Sequence, residues 1–392
     1  MPGSLPERRD EAASTPAPWI RLDRNELAGA FGDLGTSLPL LTGMILTAGL
    51  HPASVLFTFG TMQILSGLCY GLPISVQPLK AVAALVVAGH LRAGIVWGAG
   101  VAIGITMLLL HLFGLIGWLG RRIPLVVVRG LQLGLGLKLA VLACATFIPA
   151  DGWPGFGLVV ASFAAFFFLR KQRRVPPGLL LLGLGVVYAL GRHQAPLAAG
   201  DGLRLAWPEP AAFTVTDVWQ GFVLLALPQI PLSLANSIYA TQRTVSDLFP
   251  RRSLTTGWLA FTYAVMNLLS PLSGGVPVCH GSGGVAGHYA FGGRTGGSVI
   301  ICGLTFLVAG LVAGGIFDQC IRLVPLPTLG VLLFLEALTL AKLASAVARK
   351  PENVALVLLT ALLAASLPYG FGIALVVGTL ASRLLRKQNC DV

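Results

Sequence analysis

Two stretches of this 392-residue chain gather the residue types that hold a small anion. The first reads Gly71-Leu72-Pro73-Ile74-Ser75-Val76-Gln77-Pro78-Leu79-Lys80-Ala81. Residues ahead of Pro78 are pushed toward extended geometry, whereas Pro78 itself suits the first turn of a helix, so the chain enters extended and then begins a short helix. The second reads Gly274-Gly275-Val276-Pro277-Val278-Cys279-His280-Gly281-Ser282-Gly283-Gly284-Val285-Ala286-Gly287-His288. Here Gly281, Gly283 and Gly284 let backbone approach a ligand closely, and Ser282 can cap a helix and donate its hydroxyl. A helix start carries about half a positive charge and several unpaired N–H donors. Two such starts aimed at one point would suit a tetrahedral oxyanion, whose oxygens accept from several directions.

Charged side chains in these apolar surroundings are costly and therefore candidates for function. Lys80, one turn into the first short helix, either supplies a full charge to the anion or runs its stem out to the membrane interface. Asp33 lies in Phe31-Gly32-Asp33-Leu34-Gly35-Thr36-Ser37, a carboxylate with two hydroxyls inside a predicted helix. Two readings stand for it: a proton acceptor that offsets an incoming dianion, or a salt-bridge partner of Lys80, Arg129 or Lys138. Glu336 and His280 are the other proton-carrier candidates, and His280 serves equally well as a packed side chain. Gln229, Ser233 and Asn236 recur at helical spacing and line one face, for a ligand or for bonds between helices. The glycines from Gly281 to Gly287 can likewise serve close helix packing. The candidate anion-contacting set is thus Thr36, Ser37, Gln77, Pro78, Lys80, Gln229, Ser233, Asn236, His280, Gly281, Ser282, Gly283 and Gly284, with Asp33 and Glu336 for coupling.

Cys279 and His288 lack further ligands at metal spacing, so no metal site and no cofactor is expected. Nor do Cys279, His280 and Asp33 fall at the spacing of a nucleophile, base and orienting group, which argues against an enzyme. The six cysteines show no disulfide spacing.

The elements that must position these residues are membrane helices. Hydrophobic residues make up 55% of the chain and charged residues 11%, with a mean hydropathy of +0.82, against about 25% charge in soluble domains. A helix needs about 20 apolar residues to cross roughly 30 Å of hydrocarbon, and the apolar segments number about 14 on that scale. The expected fold is an all-α integral membrane protein of two inverted seven-span repeats, residues 25–190 and 218–385. A connecting loop at 191–217 joins them, and cytosolic tails at 1–24 and 386–392 flank them. Spans 3 and 10 are the half-helices meeting at the midplane. An odd number of spans per half reverses the second half, which is a transporter architecture.

The net charge of +12 sits in short loop clusters, pointing to membrane topology and away from nucleic acid. Arg121–Arg122, the run from Arg170 to Arg174, Arg243 with Arg251–Arg252, Arg294, Arg349–Lys350 and Arg383 with Arg386–Lys387 share one side with the N-terminal tail, which the positive-inside rule makes cytoplasmic. The opposite loops carry Asp151, Asp201, Glu209, Asp217 and Asp318, with Arg92, Arg192, Arg204 and Arg322 as exceptions. The first 24 residues lack the apolar core of a signal peptide.

Phe31-Gly32-Asp33-Leu34-Gly35-Thr36, Pro73-x-x-x-Gln77-Pro78-x-Lys80-Ala81 and, above all, the long run from Pro277 to Gly296 resemble the molybdate transporter family, a branch of the sulfate permease group. The resemblance covers nearly the whole chain. It implies a uracil-permease-like fold in which a core domain moves against a gate domain, and import of molybdate by alternating access in the cell membrane. Sulfate transport or an anion channel of the same architecture are the alternatives. It also implies a homodimer and a coupling proton or cation. Many sulfate permeases carry a regulatory domain after the last span, and none is expected before Val392. Some relatives place an arginine beside the tenth-span serine, where this chain has Gly283, so anion charge would fall to helix ends and Lys80.

Overall fold

The computed structural model describes residues 19–169, 177–192, 205–312, 323–345, 347, 350–367 and 369–388. Most of the N-terminal tail, the basic run 170–174, Asp201, Arg204, Asp318, Arg322, Arg349, Cys320, Cys390, Pro368 and residues 193–204 of the connecting loop lie outside the described residues.

Helices dominate. The first predicted span is two helices, α1 (Arg24–Ala30) and α2 (Leu34–Ala48), broken at Phe31, Gly32 and Asp33. Asp23 caps α1 by accepting from the N–H groups of Asn25 and Glu26 at 2.9 and 3.0 Å. Asp33 therefore sits in a helix break, not inside a helix. Then follow α3 (Pro52–Tyr70), the strand β1 (Val76–Pro78) and the ten-residue α4 (Lys80–Gly89). Next come α5 (Ala93–Leu112), the short α6 (Leu115–Arg122), α7 (Leu125–Leu142) and α8 (Gly152–Leu169). Helical turns run unbroken from α7 into α8 over 45 residues, too long for one crossing of a bilayer. At Gly152 the backbone leaves helical geometry with φ 61°, a conformation that costs glycine nothing.

After α9 (Pro177–Gly191), the eighth predicted span is one long run: α10 (Val215–Gly221), α11 (Leu227–Leu232) and α12 (Ala240–Leu248), joined by π-helical turns at Phe222–Ala226 and Ser233–Tyr239. Pro228 and Pro231 each remove an N–H from the ladder, and widened turns accommodate the loss. The rest is α13 (Thr256–Leu272), the strand β2 (Val278–His280), the nine-residue α14 (Ser282–Ala290), α15 (Gly297–Val312), α16 (Leu326–Ser345), α17 (Pro351–Ser366) and α18 (Gly370–Gln388). Among the described residues, five helical runs are long and apolar enough to cross a membrane, and six shorter helices are apolar.

The helices pack in two groups. In one, α3 lies on α15 and α5 on both α13 and α10, with α1 against α14 and α15. In the other, α7 packs on α16 and α17, α17 on α18, and α8 on α9. Close approach explains the glycine content: a Cβ on Gly60 would stand 2.5 Å from the carbonyl oxygen of Gly303, so α3 and α15 touch backbone to backbone. Large apolar side chains such as Phe168, Val160, Leu362 and Val376 face outward, as a hydrocarbon solvent requires. Arg92, one of the exceptions to the loop-charge pattern, pairs with Asp217 at 2.6 Å, which offsets its charge.

Candidate anion-binding site

The two strands pair antiparallel at the centre of the first group, Val76 opposite His280, Gln77 opposite Cys279 and Pro78 opposite Val278. Two three-residue strands alone would not hold that geometry, and an amide side chain clamps each from a neighbouring helix. Gln63 on α3 accepts from Val76 N–H at 2.8 Å and donates to its carbonyl at 2.9 Å. Asn267 on α13 accepts from Val278 N–H at 3.0 Å and donates to its carbonyl at 2.7 Å. Three residues further along each helix, Ser66 donates to Ile74 and Ser270 to Val276. These clamps answer the buried backbone groups that an extended segment leaves open. Sequence reasoning missed them, although the recurring amide-x-x-serine ahead of each strand, Gln63 with Ser66 and Asn267 with Ser270, was a usable signal.

Beyond the strands, α4 and α14 begin without a side-chain cap, so their first N–H groups have no partner of their own helix. They border a cavity of about 210 Å³ lined by Gln77, Lys80, Gln229, Asn236, Ser282, Gly283 and Glu336, with Gly281, Ser237, Cys279, Thr339 and Leu135 among the others. Eight of the sequence-predicted residues thus meet at one cavity: Gln77, Lys80, Gln229, Asn236, Gly281, Ser282, Gly283 and Glu336.

The remaining candidates are placed elsewhere. Strand alternation turns Cys279 toward this cavity and His280 away from it. The His280 Nε2 lies 2.9 Å from Thr262 Oγ1 and 3.3 Å from Tyr70 Oη, in a separate, mostly apolar pocket. Cys279 and His280 therefore cannot act together as nucleophile and base. Among the described residues no cluster of His, Cys, Asp and Glu has metal-binding geometry. Ser233 is buried between Gln229 Nε2 at 3.0 Å and Tyr263 Oη at 2.6 Å. The π turn starting at Ser233 holds one extra residue, shifting the face so that Ser237 lines the cavity beside Asn236. Pro78 is buried in the strand pair, while Thr36 and Gly284 lie outside the cavity lining.

Asp33 has no ion-pair partner among the described residues, so the salt bridges considered for it do not form. It accepts from three neutral donors, Gln77 Nε2 at 2.5 Å and the hydroxyls of Ser37 and Ser75 at 3.3 Å. Lys80 instead pairs with Glu336. That pair joins α4, the helix that follows β1 of the first group, to α16 of the second. On α16, Glu336, Thr339, Leu340 and Leu343 present one helical face to the cavity. On the far wall Asn236 Oδ1 accepts from Gln132 at 2.5 Å, and Gln132 Oε1 from Arg129 at 2.8 Å.

The glycines divide by role. A Cβ on Gly284 would collide with Ser75 Oγ and come within 3.0 Å of an Asp33 oxygen, and one on Gly32 would stand 2.5 Å from the Gly287 carbonyl oxygen. Gly283 has nothing within 4 Å of that position and opens onto the cavity. Another glycine-rich stretch, Gly292 to Gly297, wraps a carboxylate that the sequence reading passed over. Glu26 is fully buried and accepts from the N–H groups of Arg294, Thr295 and Ser298, each at 3.0 Å, tying α1 to the start of α15.

A second cavity, of about 340 Å³, lies further along the same helices. On α4 it touches Leu85, Ala88 and Gly89 where the first touches Lys80 and Ala81. On α7 it touches Lys138 where the first touches Leu135.

The sequence matches, over residues 25–139 and 221–340, a family described as molybdate transporter of the MFS superfamily. Molybdate transporter 2 of Arabidopsis thaliana is 32% identical, covering 94% of this chain and 89% of that protein. Molybdate transporter 1 of the same plant is 31% identical over 93% of this chain and 88% of its own length. Molybdate transporter 1 of Chlamydomonas reinhardtii is 26% identical, covering 88% of each. Among solved structures, the transmembrane domain of the cyanobacterial bicarbonate transporter BicA superposes with a TM-score of 0.68 at 15% identity, over 91% of this chain and 96% of that one. Murine Slc26a9, an anion transporter in its inward-facing state, superposes with a TM-score of 0.70 at 13% identity, over 93% and 68%. At these identities the structural likeness is one of fold.

Proposed function

The chain belongs to the molybdate transporter family, and we propose that it is a secondary transporter importing a tetrahedral oxyanion, molybdate before sulfate. The observation that carries this reading is the cavity between two uncapped helix starts with Lys80 on its wall. Helix N–H donors, the Ser282 hydroxyl and the open backbone at Gly283 offer hydrogen bonds from one side, with Gln229, Asn236 and Thr339 on the other. Uncapped donors suit an oxyanion because its charge satisfies groups that water would otherwise have to solvate.

Lys80 already has a counter-charge in Glu336, so a dianion entering beside it meets a pair of zero net charge. We assign Glu336 as the coupling residue. Its protonation frees the ammonium for the anion and lets one proton travel with the cargo. Asp33, satisfied by three neutral donors and lying outside the cavity lining, holds Gln77 in position. Because the Lys80–Glu336 pair joins the two helix groups, its release is also the step that lets one group move against the other. Alternating access draws support from the two cavities, which lie at successive levels of the same helices. Their separation favours a carrier over a channel.

The packing pattern supports about 14 spans in two inverted repeats on the bilayer scale. Matching segments exchange partners: α3 with α15 and α13 with α5, and likewise the Gln63–Ser66 and Asn267–Ser270 clamps. We place both termini on the cytoplasmic face from the loop charges and expect a homodimer from the family resemblance.

Binding of molybdate to the purified protein, with tungstate, sulfate and uracil as competitors, tests the reading. Displacement by tungstate and weak displacement by sulfate support it. Absence of oxyanion binding, or displacement by uracil, would leave the fold and remove the substrate.

A further inference from the structure

Away from both cavities along the transport path, a third hollow of about 440 Å³ lies where α6 turns into α7 and meets the last turns of α18. Arg121, Arg122 and Arg383 line it together with the buried Ser382, and no Asp or Glu is among its lining residues. Among the described residues these three arginines make no ion pair. Three like charges around one hollow repel each other and call for an anion with several acceptor oxygens, which guanidinium groups bind through paired N–H donors. Sequence reading assigns these arginines only to loop charge, and the oxyanion site does not use them.

The setting says what kind of anion. The hollow sits at helix ends, beside the short helix α6, on which Leu115 and Trp118 are exposed. Leu112 and Phe113, at the end of α5 just ahead of it, are 67% and 71% exposed. The Arg122 guanidinium lies 4.8 Å over the Trp118 ring, the amphipathic arrangement that sits at the level of lipid headgroups. The helix is held in place from within, because Tyr239 Oη donates to the Ile116 carbonyl at 3.0 Å. A soluble anion has no use for four exposed apolar side chains next to its site, but a molecule with a phosphate head and acyl chains does.

We propose that this hollow binds the phosphate headgroup of an anionic phospholipid, with its acyl chains lying against Leu112, Phe113, Leu115 and Trp118. Basic pockets between helix ends are suited to such headgroups. Because α6 links α5 of one helix group to α7 of the other, a bound lipid would steady the joint about which the groups move. This inference needs only the membrane setting and stands apart from the choice of transported anion.

The test is native mass spectrometry of the full chain released from nanodiscs of phosphatidylcholine mixed with phosphatidylglycerol. Wild type should retain phosphatidylglycerol in preference to phosphatidylcholine. The triple variant Arg121→Gln/Arg122→Gln/Arg383→Gln should retain less by roughly fivefold for each arginine removed. A control that removes the same charge elsewhere, Arg251→Gln/Lys342→Gln/Lys350→Gln, should retain as much as wild type. Equal retention by the triple variant, equal loss in the control, or displacement of the lipid by millimolar inorganic phosphate would each overturn the proposal. Thermal unfolding measured on the same samples reports that the triple variant is folded.

Discussion

The two strand–helix units, β1–α4 and β2–α14, share a backbone plan and divide the chemistry. Each has a short strand with a proline close by, Pro78 within β1 and Pro277 just ahead of β2, clamped by an amide and a serine from the preceding helix, and each ends in an uncapped helix start. The first unit brings the charge, Lys80 paired with Glu336, and the relay from Gln77 to Asp33. The second brings no charge at its tip, but a hydroxyl at Ser282 and open backbone at Gly283. Backbone donors can thus be supplied twice by one strand–helix plan, whereas a full charge is needed once, where it can be matched by the counter-charge of Glu336 on α16.

Filling the uncharged unit should have the largest effect. Ser282→Trp places an indole in the cavity and should abolish oxyanion binding while leaving the protein folded in the membrane. Full binding by that variant would mean the anion sits elsewhere. Removing the charge from the other unit comes next. Lys80→Gln should weaken molybdate binding by about 1.5–3 kcal/mol, the worth of a hydrogen bond to a charged group, while Lys342→Gln leaves it unchanged. Titration calorimetry on the two variants separates them, and equal effects would return Lys80 to a structural role.

Glu336→Gln probes the counter-charge. The variant should bind molybdate at least as well as wild type, because a neutral amide leaves Lys80 free for the anion, and should carry no proton with it. Proton uptake that persists in the variant would shift coupling to another group, Asp33 first. The smallest expected effects distinguish the two glycines of the second unit. Gly284→Ala pushes a methyl group into Ser75 and should cost about 1–3 kcal/mol of stability, as overpacking does. Gly283→Ala meets open space, so thermal unfolding should be unchanged or up to about 1 kcal/mol more favourable to the fold, while molybdate affinity falls. The reverse order would exchange their packing and ligand roles.

The chain shares its fold with BicA and Slc26a9, although the description of its own family refers to the MFS superfamily. The paired strands and the short helices α4 and α14 were legible in the sequence because proline and glycine act on the backbone directly. Pro78 and the Gly281–Gly284 run dictate where an extended path ends and a helix begins, whatever surrounds them.

By itself the sequence determined the membrane-helix class, the two strand–helix units and half of the cavity lining, since apolar run length and backbone-restricting residues are local properties. The tertiary structure decided the pairings. Asp33 falls in a helix break and meets neutral donors; Lys80 finds Glu336 from 256 positions away; a π turn hands the place of Ser233 to Ser237; and strand alternation turns His280 from the cavity. Each depends on how one helix is set against another, and periodicity along a single segment carries no information about the partner across the gap.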